Sequence, residues 1–81
     1  MKYAKFKGNG EHYFAISDKP NENGLYEGIS VNAGQQKSVT TMSITGRWFG
    51  TMYEACNKKD FENAYKSVLK HISDVFSTKI N

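Results

Sequence analysis

Tyr3, Lys5, Lys7, Tyr13 and Tyr26 are the residues in the first part of the chain whose types suit a working surface. A tyrosine offers a flat apolar ring with a polar tip, and a lysine carries a cation on a flexible stem. Interleaved, they suit the docking of a protein or the stacking of unpaired bases beside neutralised phosphates. The same tyrosines also favour strands for packing reasons alone. The densest aromatic cluster is Gly46-Arg47-Trp48-Phe49-Gly50. Tryptophan and arginine are frequent interface anchors, because each removes a large area from water while keeping a polar handle. A tryptophan closing one end of a sheet is the purely structural reading of that cluster.

Catalytic chemistry finds no comparable set. His12 falls in a strand pattern and His71 on a polar helix face, and neither has a nucleophile or carboxylate at a known motif spacing. Both read as solvated histidines. Cys56 is the one cysteine, so it forms no internal disulfide and cannot contribute to a four-thiolate metal site. It precedes the expected helix, but Asn57 is the residue placed to cap, which leaves Cys56 as a half-buried, inert thiol. Gly8-Asn9-Gly10 closes a hairpin and does not lead a strand into a helix, so it is no phosphate cradle. The acidic residues are scattered singly, and no metal-ligand spacing occurs. The expectation is a non-enzymatic protein without metal or cofactor.

These residues must be positioned by strands in the first two-thirds of the chain and a helix in the last third. Tyr3 to Lys7 and His12 to Ser17 read as a hairpin, and the run from Asp18 to Gly24 as a surface loop of turn formers. Leu25 to Val31 and Ser38 to Thr45 give two more strands, and Arg47 to Tyr53 is either a fifth or a loop leading into the helix. From Phe61 the period changes. Phe61, Ala64, Tyr65, Val68, Leu69, Ile72 and Phe76 follow the i, i+3, i+4 spacing of one helix face. With Asn57 as N-cap, Asp60 near the third position and Glu62 paired with Lys66, the spacing predicts a helix over about 58–76.

The fold class that follows is α+β: an antiparallel sheet of four to five strands, a meander, packed on one face by a single C-terminal amphipathic helix. Period-two bookkeeping places Ala4, Phe6, Phe14, Ile16, Leu25, Ile29, Val31, Met42 and Ile44 under the helix. It places Tyr3, Lys5, Lys7, Tyr13, Ala15, Tyr26, Gly28, Thr41 and Ser43 on the open face, where Arg47 and Phe49 join them.

Length and composition bound the rest. At 81 residues and 9.2 kDa the chain is read as one compact domain, 1–81, too small for a deep cofactor cavity. It shows no signal peptide and no run apolar enough to span a membrane, and the lone cysteine suits a reducing, cytoplasmic setting. The net charge is +3, yet Arg47 is the only arginine, which disfavours sequence-specific reading of duplex DNA. An ordinary solvated surface carries a similar lysine excess.

The order of strands followed by one helix is similar in layout to the small arm-binding domains of some integrases. The similarity carries no motif, and those domains use basic strand residues where this chain has a single arginine. By size and by its lysine- and asparagine-rich composition the chain also resembles phage and mobile-element inhibitors of host machinery, such as anti-CRISPR proteins. The expected function is a small binding protein that covers a surface on a protein or a protein–nucleic acid complex through Tyr3, Lys5, Lys7, Tyr13, Tyr26, Arg47, Trp48 and Phe49. The alternative is a single-stranded nucleic-acid module that uses the tyrosine and lysine face.

Overall fold

The computed structural model describes residues 1–8, 10–45 and 51–80. Strands β1 (Lys2–Phe6), β2 (His12–Ile16), β3 (Tyr26–Asn32), β4 (Ser38–Ile44) and β5 (Tyr53–Ala55) precede the helix α1 (Lys58–Val75), which ends in one π-helical turn, Phe76–Ile80. The expected α+β architecture is what forms, a five-stranded antiparallel sheet in the order β4-β3-β2-β1-β5 with the helix on one side. The first four strands are the expected meander. The fifth begins only at Tyr53 and returns to the free edge of β1, and Arg47, Trp48 and Phe49 lie outside the described residues.

Local chemistry explains the turns and the close approaches. In the loop between β2 and β3 the Asn21 side-chain oxygen accepts from the backbone N–H of Asn23 (2.9 Å) and of Leu25 (3.0 Å), and Gly24 supplies the positive φ of 77° that the loop needs. Gly28 serves a different purpose. A Cβ there would sit 2.7 Å from the end of the Phe14 ring, so the missing side chain is the space that the ring fills.

The registers fix two sheet faces, since residues opposite each other in an antiparallel ladder share a face. Tyr3 pairs with Ala15, Lys5 and Val31 with Tyr13, Ile29 with Ala15 and Val39 with Val31. This is the face beneath the helix, where Ala15 and Val31 form one core with Phe61, Ala64 and Val68. On the other side Ala4, Phe14, Ile16 and Tyr53 form a second core, rimmed by Phe6, Tyr26, Met42 and Ile44. The expected core under the helix is therefore corrected. Ile29 and Val31 are there, but Ala4, Phe6, Phe14, Ile16, Met42 and Ile44 belong to the opposite face.

The physical reason is the size of the residue at the centre. Ala15 is small enough for the helix to approach β2 closely, while the Tyr3 ring meets Phe61 at 5.5 Å between centroids and Phe61 stacks on Tyr65 at 6.0 Å. Phe14 and Ile16 would hold the helix further off. They pack instead with Tyr53, whose ring lies 6.1 Å from Phe14 and 5.7 Å from Phe6.

α1 is capped as expected: Asn57 is extended, and its side-chain oxygen accepts from the Asp60 N–H at 2.8 Å. The helix starts beside β1, where the Cys56 N–H donates to the Tyr3 carbonyl at 3.0 Å, and it ends beside Lys37, the residue before β4. It thus crosses the sheet from one side to the other. No helix among the described residues is long and apolar enough to cross a membrane.

Adjacent positions on the helix should respond differently to truncation. Val68 is fully buried and Leu69 is 40% exposed. We predict that Val68→Ala costs about 2 kcal/mol in urea unfolding and Leu69→Ala less than about 1; equal costs would show that the helix face is wrongly assigned. Burial also raises the Tyr53 phenol above its ordinary value. The unfolded chain then releases this proton first, so stability falls as pH rises beyond about 10 and is unaffected by this group below it. A shallower alkaline loss in Tyr53→Phe than in wild type, read from urea midpoints across that range, checks the sign.

Candidate functional site

The residues expected to form one open face are divided between two. Tyr3, Lys5 and Tyr13 lie on the helix side, where both tyrosines are half-buried against the core and the Lys5 Nζ stands 6.0 Å from the centre of the Tyr13 ring. Tyr26 is on the opposite face, paired with Ile44. Lys7 is exposed at the end of β1, its N–H donating to the Met52 carbonyl at 2.9 Å. The placement of Tyr3 and Tyr13 away from the helix is corrected accordingly. A tyrosine can close the rim of a helix–sheet core with its hydroxyl at the water boundary, and this is what the strand pattern alone could not distinguish from an open face. Arg47, Trp48 and Phe49 lie outside the described residues.

What the structure brings together instead is the far end of α1. Leu69, Ile72 and Phe76 are 40%, 44% and 55% exposed, at positions i, i+3 and i+7 on one flank of the helix. Tyr65, one turn earlier, is half-buried and joins this flank to the core. Beside it, Ile72, Val75 and Phe76 line an open groove of about 320 Å³ with Lys37 and His71. Lys37, which lines this groove, is exposed, while Lys66 one turn back on the helix pairs with Glu62 at 3.9 Å.

The i, i+3, i+4 spacing assigns this flank to the buried face, and lengths together with position around the helix explain why it is exposed. From β1 to β4 is three strand spacings, about 14 Å. From Phe61, over β1, to Ile72 is eleven residues of helix, about 16 Å at 1.5 Å per residue. The helix comes to the end of the sheet beside Lys37, where Ile72 and Phe76 keep an apolar side uncovered, whereas Leu69, about 12 Å along and within that width, is exposed by its angle, about 100° round the helix from the fully buried Val68. The comparison of helix length with sheet width was the available signal.

Elsewhere the chemistry is sparse. His12 shares a hydrogen bond with Ser30 at 3.1 Å and packs beside the Phe6 and Tyr53 rings, at 6.4 and 6.3 Å, so it is a half-buried member of a cluster and not a solvated side chain; His71 is exposed as expected. An open cleft of about 330 Å³ beside the first half of α1 is lined by Glu11, Tyr13, Ala33, Asp60, Asn63, Ala64 and Ser67. Among the described residues no three His, Cys, Asp or Glu side chains come together as a metal site. Asp18 is exposed and accepts from the N-terminal ammonium at 2.9 Å, and that hydrogen bond lowers its carboxyl pKa. No family model, no curated protein and no solved structure matches this chain.

Proposed function

We propose that the chain is a small non-enzymatic binding protein that acts by covering a surface on a protein partner, and that it docks by the far end of α1. The observation that carries this reading is the exposure of Leu69, Ile72 and Phe76 at i, i+3 and i+7. That spacing is how an amphipathic helix fills an apolar groove on another protein. Lys37, which lines the groove beside it, favours a partner with an acidic residue at that point. In this role the protein is an inhibitor by occlusion, and its setting in a phage or mobile element rests on size and composition alone. The nucleic-acid alternative draws less support, because Tyr3 and Tyr13 are half-buried beside the helix and Tyr26 lies on the opposite face.

The proposal of no enzymatic role draws support from Cys56. Partial burial raises its thiol pKa, the Asp60 carboxylate raises it further, and Lys5 only partly offsets them. At neutral pH such a thiol keeps its proton and is a poor nucleophile.

Two measurements test these readings. With a partner captured from the native host, Ile72→Ala and Phe76→Ala should each weaken binding by about thirtyfold, the cost of removing an anchor worth about 2 kcal/mol. Tyr26→Ala should leave it unchanged, and the opposite pattern would move the working surface to the other sheet face. Cys56→Ser should bind as wild type does. Its unmodified thiol should react with iodoacetamide more slowly at neutral pH than a free cysteine, accelerating as pH rises; fast labelling at neutral pH would reopen nucleophilic chemistry.

A further inference from the structure

β4 is the outermost strand on one side of the sheet, and among the described residues it carries no charge, proline or bulge of the kind that normally keeps such an edge from pairing. Its seven residues, Ser38-Val39-Thr40-Thr41-Met42-Ser43-Ile44, contain no charge and no proline, and their ladder with β3 is continuous from Ser38 opposite Asn32 to Ile44 opposite Tyr26, without a bulge. The other edge is guarded differently, since β5 has only three residues and leads at once into the helix cap.

The direction of the free backbone groups follows from the hydrogen bonds. The Ser17 N–H donates to the Glu27 carbonyl at 2.9 Å and the Ala33 N–H to the Glu11 carbonyl at 2.8 Å. Odd-numbered residues of β3 therefore turn their backbone towards β2 and even-numbered ones towards β4. By the register, Ser38, Thr40, Met42 and Ile44 bond back to β3. Val39, Thr41 and Ser43 turn their N–H and C=O groups outwards. Thr41, at the centre of this outward set, is exposed.

We propose that this edge pairs with β4 of a second copy of the chain, antiparallel, about a two-fold axis perpendicular to the sheet at Thr41. Thr41 then lies opposite Thr41 of the second copy, and Val39 opposite Ser43 of the second copy. Each of these outward residues exchanges both backbone hydrogen bonds, so the edge is self-complementary and no outward group between 39 and 43 stays unpaired.

Charge does not oppose the second copy, despite the +3 on each chain. The uncharged strands bring no like charges face to face, and the two Lys37 side chains fall about 26 Å apart, the rise of eight strand residues, beyond the screening length at physiological salt. The two helices sit on the same face of the joined sheet. Their C-terminal ends, each beside its own Lys37, stand at opposite ends of the new strand pair. A contact of this length is at the small end of specific interfaces and gives a concentration-dependent dimer.

Sedimentation over roughly 5 to 500 µM, the range where so small an interface should assemble, tests the proposal on the intact chain. The weight-average mass should rise from 9.2 kDa towards twice that value. Thr41→Lys and Thr41→Glu should each associate about five- to tenfold more weakly, because each sets like charges directly opposite one another. Mixed in equal amounts, the two variants should recover association, which only a register placing position 41 opposite itself produces. A wild-type mass of 9.2 kDa throughout would overturn the proposal, whether or not a strand of another protein adds to the edge. So would undiminished self-association of both variants.

Discussion

Phe14 and Ala15 are neighbours in the chain, point to opposite faces of the sheet, and are 0% and 1% exposed. The structure depends on keeping both sides of β2 dry at this one point. Successive strand residues alternate faces, so a two-layer arrangement with one wet sheet face cannot bury both. The helix meets the demand on the Ala15 side, where the small residue lets it come close. On the Phe14 side the demand is met by Tyr53, Phe6 and Ile16, and by the bare backbone of Gly28 under the ring. Each solution draws on a different part of the chain, and β5, which carries Tyr53, belongs to both: it supplies a ring to one core and leads into the helix of the other.

The division explains which features could be read from the residues alone. The helix, its Asn57 cap and four of the strands were legible because each rests on local spacing or a local hydrogen bond. The side of each strand was not, because it depends on register across strands. HYFAI has an aromatic and an aliphatic residue on either side, so its alternation fits two opposite orientations, and only the pairing of Ala15 with Ile29 and of Phe14 with Ser30 decides between them. β5 was obscured for a related reason. Three residues carry almost no periodic signal, and its place beside β1 comes from bonds to residues some fifty positions earlier, Lys7 to Met52 and Cys56 to Tyr3.

The expected binding residues failed as a set for the same reason, and the surface that replaced them was half legible. Leu69, Ile72 and Phe76 were recognised as one helix face, but a helix face is buried only as far as there is sheet beneath it. The same crossing that packs Phe61 on Tyr3 at one end carries the helix off the sheet at the other. Ile72 and Phe76 are exposed where the helix comes to the end of the sheet, and Leu69 by its angle, about 100° round the helix from the buried Val68.

The return of β5 to β1 also orders assembly in time. β1 to β4 are joined by connections of five to nine residues, and each pairing closes a small loop at little entropic cost. The β1–β5 ladder closes a loop of more than forty residues, a contact of high sequence separation that is slow to form. Because β5 leads through Cys56 and Asn57 straight into α1, the two cannot dock far apart in time. The chain would therefore fold as a meander first and gain its last strand and its helix together, so that one slow event completes both cores.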